Sequence, residues 1–266
     1  MSSTQSFADG AIEAVYDTFV GNVLLNRPER KNAVNAAMWS ALPDVLNWLL
    51  GQNARVILLS GAGGKDFSAG ADIVEFDTHR KDAETSAAYE KLNSRAFAAI
   101  RNCPVPVIAV IRGFCFGGGF GLAAAADIRI ADTSARFAVP AARLGLAYPV
   151  DAMGDIVAAL GPQLAKVALF TTREFTAAEL ADAGALLPLV EPHDLDTEAT
   201  ALAQRIAYNA PLSVRASKTA INAVVADDPA LMKLAQRQGD ETYSSRDYAE
   251  GRAAFKDRRK PHFTGQ

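Results

Sequence analysis

The run Phe114-Cys115-Phe116-Gly117-Gly118-Gly119-Phe120-Gly121-Leu122-Ala123 constrains this chain more than any other stretch. It follows the β-branched apolar segment Val107-Ile108-Ala109-Val110-Ile111 and leads into leucine and alanine. Such a passage reads as strand, tight turn and helix. Consecutive glycines let a backbone turn where a Cβ would clash, and let a ligand lie directly against it. The first N–H groups of the helix that follows have no intrahelical partner, and the helix dipole favours negative charge there. That end suits a phosphate or a developing oxyanion. Packing alone also produces glycine clusters at strand–helix turns, so a second element upstream must join this one before it signifies chemistry.

With 266 residues the chain is long enough for one large or two small domains. Half of its residues are apolar and the mean hydropathy is near zero, so a sizeable soluble core is expected. No apolar run is read as reaching the ~20 residues that a membrane span needs. Met1 to Gly10 has neither a basic start nor an apolar run, so no secretory signal is expected. Cys103 and Cys115 lack CxxC spacing and fit a reducing cytoplasm. A net charge of −3 argues against a nucleic-acid binder, and Lys256-Asp257-Arg258-Arg259-Lys260 is too short to overturn that. His79, His193 and His262 are far apart, without cysteine or carboxylate at ligand spacing, so no metal site is expected.

In chain order, Ala11 to Leu25 alternates apolar and polar residues around Asp17-Thr18 and reads as a β-hairpin. Asn26 to Asn32 is a polar loop, Ala36 to Leu50 has helical spacing, and Val56 to Ser60 is a buried strand. The glycine-rich turn Gly61 to Asp66 leads to Phe67-Ser68-Ala69-Gly70-Ala71-Asp72-Ile73. Ala87 to Asn102 is a helix, Val107 to Ile111 the central strand, and short strands recur at Asp127 to Ala131 and Arg136 to Val139. Alternation of strands and helices indicates an α/β core with largely parallel pairing. From Gly161 onward the chain is mainly helical, with a strand candidate at Leu186 to Val190 and a break at Asn209-Ala210-Pro211.

Three stretches together resemble the crotonase (enoyl-CoA hydratase/isomerase) superfamily: Leu25-Asn26-Arg27-Pro28 with Asn32-Ala33, Phe67 to Ile73, and Gly113 to Gly119. Ala126 to Ala131 and Gly251 to Phe263 extend the resemblance over nearly the whole chain. It implies an α/β fold of repeated ββα units, a spiral of stacked sheets over about residues 1–200. Residues 201–266 would form a helical C-terminal region that builds a trimer, which commonly stacks into a hexamer. The substrate class implied is an acyl-CoA thioester, with no cofactor beyond the coenzyme A of the substrate. By motif match the N–H groups of Ala71 and Gly118 would hold the thioester oxygen. Ala69, Asp72 and Ile73 would line the coenzyme, while Arg30 and Lys260 would meet its phosphates. Arg30, Lys31 and Lys260 equally suit solvated surface positions.

The hydratases of this family carry two glutamates that activate water and deliver the α-proton. One lies three residues after the oxyanion-hole glycine, on the same helical face, and here that position is Gly121. The other ends a Phe-x-x-Pro-Glu stretch, and here Phe137-Ala138-Val139-Pro140 is followed by Ala141. Neither residue can transfer a proton, so ordinary hydration is expected to be slow or absent, and both losses are expected to enlarge the pocket. Leu144-Gly145-Leu146-Ala147-Tyr148, with Ser245 to Gly251 and Arg259 to Phe263 in the tail, resemble the methylmalonyl-CoA decarboxylase branch. That branch, however, has a histidine where Ala71 stands. Tyr148 can orient a polar group of the acyl chain or be a half-buried aromatic with a satisfied hydroxyl. Asp151 can serve as acid, base or nucleophile, as an aspartate near this stretch does in related isomerases and dehalogenases, or it can cap a helix. Asp155, Glu75 and His79 are weaker candidates. Ser68 has no basic partner and is not read as a nucleophile, and Asp72 is expected to brace its own turn.

These residues point to an acyl-CoA enzyme that stabilises a thioester enolate. The alternatives are a decarboxylase, isomerase or hydrolase acting on a bulky or malonyl-type acyl group, and a binder of acyl-CoA without catalysis.

Overall fold

The computed structural model describes residues 2–266. Its strands are β1 (Ser3–Phe7), β2 (Ile12–Asp17), β3 (Val20–Leu25), β4 (Val56–Gly61), β5 (Val107–Ile111), β6 (Phe114–Phe116), β7 (Ile128–Ala131), β8 (Arg136–Ala138) and β9 (Phe175–Thr176). Its helices are α1 (Ala36–Gly51), α2 (Phe76–His79), α3 (Ala83–Arg101), α4 (Gly118–Ala125), α5 (Met153–Thr171) and α6 (Ala177–Asp182). They continue with α7 (Leu195–Ala207), α8 (Pro211–Ala226), α9 (Pro229–Thr242) and α10 (Arg246–Asp257).

Six strands form one sheet in the order β1-β2-β3-β4-β5-β7, antiparallel from β1 to β3 and parallel from β3 to β7. The predicted hairpin is β2–β3, and β1 adds an edge strand that its polar composition did not announce. Side chains alternate between the two faces of a strand. Ile57, Leu59, Val107, Ala109 and Ile111 therefore join the cluster that includes helices α1, α3, α4 and α5. Val56, Leu58, Ile108 and Val110 face the other way, onto Leu195, Ala199, Ala203 and Ala207 of α7. A sheet covered on both faces accounts for the unbroken apolar runs of β4 and β5. Helix α7 spans residue 200, and its alanine face ties it to this core.

After each long strand the chain makes a short extended passage before the next helix. These passages stack in parallel: Val34 bridges to Ala71, Ser68 to Cys115, and β6 pairs with β8, to which β9 adds antiparallel. The result is the expected spiral of repeated units, with a long and a short sheet side by side. Asn32 joins two successive turns. Its buried side chain donates to Ala62 O and Asp66 O at 3.0 and 2.7 Å and accepts from Arg27 N. At φ 53° its backbone is left-handed, a conformation that asparagine tolerates better than most residues.

Two expectations need correction. The strand candidate Leu186 to Val190 is a bent segment with a single bridge, Val190 to Asp132, and Pro188 within it has no N–H for a ladder. Val150–Thr171, the stretch of α5 and the turn before it, does reach the length and mean hydropathy of a membrane span. It contains Asp151, Asp155 and Lys166, breaks at Gly161-Pro162, and packs on α4 through part of its surface, including Ile156 and Ala159.

Helix α8 is anchored by Lys218, whose buried ammonium donates to Asp127 at 2.7 Å and to Val105 O at 3.1 Å. The last residues fold back: Asp247 accepts from Thr264 N and Gly265 N, and Arg55 donates to Phe263 O. Replacing Asn32 with alanine would leave Ala62 O and Asp66 O of the next turn, and Arg27 N of its own loop, without their partner. Since each buried unpaired group costs about 1–3 kcal/mol, losing three partners is expected to cost Asn32→Ala at least about 3 kcal/mol, read as a lower urea midpoint at unchanged slope.

Candidate functional site

The glycine-rich segments that the sequence singled out meet where two successive turns of the spiral run closest. Gly70 has φ +98°, and a Cβ there would lie 2.7 Å from Phe116 O and 3.2 Å from Gly118 N. A Cβ on Gly118 would stand 3.5 Å from Ala71 N and 2.9 Å from the Trp39 ring. Glycine is therefore required on both sides of the contact. The N–H of Ala71 and that of Gly118, the first residue of α4, thus lie side by side, and among the described residues neither has an acceptor. Unpaired donors at a helix start form a site for negative charge. A pair fixed in advance can hold a developing oxyanion without rearranging.

Buried aromatics floor this hole. Trp39 donates from Nε1 to the Tyr89 hydroxyl at 3.1 Å and meets Phe97 edge to face at 5.6 Å. Burial pushes the Tyr89 phenol up to about 12. Sequence reasoning did not single out Trp39, Tyr89 or Phe97, because aromatic residues at helical spacing look alike whether they floor a site or fill a core.

Ser68, fully buried, donates to Asn32 O and accepts from Gly70 N, so it braces the turn. Asp72 braces too, accepting from Val74 N and pairing with Arg27 at 2.8 Å. Glu75 is taken up as an acceptor for Ala36 N at the start of α1, at 2.7 Å. His79 is exposed beside Tyr89.

Tyr148 reaches the hole from the other side. Its hydroxyl donates to Gly117 O at 3.1 Å, and burial raises its phenol well above the usual range. With that proton committed, the hydroxyl offers a substrate only its lone pairs. The same hydroxyl occupies the space beside Gly121: a Cβ at Gly121 would collide with it and lie 2.6 Å from the Phe97 ring. The expectation of an enlarged pocket at Gly121 therefore fails. The room that a longer side chain would take is filled by Tyr148 and Phe97.

Asp151 does not reach the hole. It is exposed, and it lines a groove of about 980 Å³ beside the C-terminal end of α4, with Ala124 to Arg129 and α8. Asp155 lines the same groove and pairs with Arg101, while burial pushes its carboxyl up against the pull of that guanidinium. Arg30 precedes Lys31, whose carbonyl accepts from Ala69 N, so its loop runs beside the segment that carries Ala69, Asp72 and Ile73. Arg30 and Ile73 are exposed there. Lys260 does not join them within one chain. Its tail is held by Arg55 at the start of β4, whereas the hole lies beyond that strand's other end. Among the described residues no group of three His, Cys, Asp or Glu side chains is placed to hold a metal.

Residues 17–266 match the family model described as enoyl-CoA hydratase/isomerase. The chain belongs to the enoyl-CoA hydratase/isomerase family. It is 32% identical to the short-chain-enoyl-CoA hydratase of Clostridium acetobutylicum, over 91% of this chain and 92% of that one. It is 31% identical to the crotonyl-CoA hydratase of Syntrophomonas wolfei, over 90% and 92%. The crystal structure of an enoyl-CoA hydratase/carnithine racemase from Magnetospirillum magneticum superposes with a TM-score of 0.89 at 38% identity, covering 96% of each chain. Membership in the enoyl-CoA hydratase/isomerase family carries the crotonase fold with it, and an acyl-CoA substrate is consistent with that family.

Two outcomes follow from the floor of the hole. Overpacking a filled site costs about 1–3 kcal/mol, so Gly121→Glu is expected to lose at least about that much stability, read as a lower urea midpoint. Tyr89 and Tyr148 are neutral in the fold, with pKa values raised above the unfolded value of about 10. Their contribution is complete below that pH and is lost as pH rises toward the folded values. Urea unfolding at a series of alkaline pH values should show stability falling above pH about 10, and less steeply in Tyr148→Phe.

Proposed function

We propose that this family member stabilises the enolate of an acyl-CoA thioester through the N–H groups of Ala71 and Gly118, without the carboxylate pair that hydrates a double bond. The observation that carries the reading is the pair of acceptor-free N–H groups on adjacent turns. A thioester carbonyl seated there gains negative charge as its α-carbon loses a proton or a carboxylate, and both donors strengthen their bonds as that charge grows. In other enzymes one such donor contributes roughly 3–4 kcal/mol. Arg30 and the backbone from Ala69 to Ile73 would receive the coenzyme along the exposed rim.

Three observations speak against efficient hydration. Gly121 and Ala141 carry no acid or base, Tyr148 fills the space at Gly121, and Glu75 is engaged at the start of α1. The same observations favour decarboxylation of a malonyl-type thioester as the second reading. There the bond to the carboxylate carbon breaks, carbon dioxide leaves, its electron pair passes into the enolate, and a proton then adds at the α-carbon, so no base is required.

A homotrimer belongs to this proposal. Ile221, Val224, Tyr243 and Phe255 of the C-terminal helices are exposed apolar residues, the kind of surface that a neighbouring subunit covers. A neighbour would also be the route by which Lys260 reaches a coenzyme.

Mass spectrometry of CoA thioesters incubated with the protein in deuterated water tests the reading. The panel should hold crotonyl-, methylmalonyl- and bulky enoyl- or aryl-CoA compounds. Deuterium at the α-carbon or loss of carboxylate is expected, with little hydration of crotonyl-CoA. Rapid hydration of crotonyl-CoA would remove the claim about the carboxylates, and unchanged but bound thioesters would favour a non-catalytic binder.

A further inference from the structure

The Tyr148 hydroxyl donates to the carbonyl of Gly117, and that carbonyl belongs to the same peptide group as the Gly118 N–H. A trans peptide is planar, with C=O and N–H pointing in opposite directions. Whatever holds the Gly117 oxygen therefore aims the Gly118 hydrogen. Two donors hold it: the Tyr148 hydroxyl at 3.1 Å and the Gly121 N–H, also at 3.1 Å. The second is an ordinary helical bond, while the first comes from a side chain wedged against Gly121 and Phe97. Gly117 itself has φ 50° and ψ −117°, outside the basins that other residues occupy. Its own torsional preferences therefore do little to hold this peptide plane, and outside contacts must do so.

We propose that Tyr148 is a positioning residue of the oxyanion hole, whose hydroxyl fixes the direction and raises the donor strength of the Gly118 N–H. An amide that accepts at its carbonyl is polarised and becomes a better donor at its nitrogen. The phenol acts through the peptide, needs no contact with substrate, and stays protonated throughout. This inference rests on the acyl-CoA reading above and assigns Tyr148 a task different from contact with the acyl chain.

The test is the carbonyl stretch of bound butyryl-CoA labelled with carbon-13 at the thioester, by isotope-edited infrared difference spectroscopy, with binding followed by calorimetry. The wild-type protein should shift the band to lower frequency relative to free butyryl-CoA. Tyr148→Phe should still bind but lose about 10–30% of that shift, the range of hydrogen-bond cooperativity in condensed phases. Placing 3-fluorotyrosine at position 148, a stronger donor of nearly the same shape, should enlarge it. An identical band in all three bound forms overturns the proposal, since a merely structural tyrosine would change affinity or melting without a graded shift. Should Tyr148→Phe fail to fold, the fluorotyrosine protein decides alone. If butyryl-CoA binds to no form, the acyl-CoA reading itself fails, and this inference with it.

Discussion

The close approach of two backbone turns at Gly70 and Gly118 is the constraint on which the rest of this structure depends. Peptide groups approach this closely only where neither side carries a Cβ, and they remain acceptor-free only where the surrounding chain is fully paired. Both conditions come from elsewhere in the molecule. Asn32, Ser68 and Asp72 use up the carbonyls and amides of the upper turn, while Trp39, Phe97 and Tyr148 hold the lower one from beneath. The parallel sheet sets the spacing, since β4 and β5 are neighbours in it and the two turns grow from their ends. A pair of idle N–H groups in so well-bonded a neighbourhood marks where the fold leaves hydrogen-bonding capacity for a ligand.

Much of this was legible in the residues themselves. The β-branched runs, the hairpin alternation and the glycine clusters place the strands and the turn of the spiral, and the motifs place Ala71 and Gly118 on it. Features requiring long-range pairing were not legible. Edge strand β1 is polar and reads as a terminus until its partner β2 is known. Leu186 to Val190 has strand composition, yet the chain bends there around Pro188 and makes a single bridge.

The same division runs through the site. Small residues at 121 and 141 are visible as missing carboxylates, but absence of a side chain does not reveal what fills the space. Three-dimensional packing answers at Gly121 with a phenol from 27 positions onward. Asp151 illustrates the converse: its proximity in sequence to Tyr148 suggests a shared pocket, but the short turn Val150–Ala152 that carries it lines the groove at the C-terminal end of α4. Carboxylates at Asp72 and Glu75 stand close to the hole, yet each is engaged with backbone or with Arg27, so charge near the site is structural.

The wedge of Tyr148 against Gly121 also shapes how this protein can change by mutation. The two positions are not independent axes. A side chain at 121 is accommodated only after the phenol has been withdrawn, and withdrawing the phenol first uncovers a hollow under the peptide it supports. Each single step is expected to cost stability, and because the two side chains are in contact their effects are not additive. A library that varies these positions one at a time would sample neither chemistry, and only joint variation crosses between them.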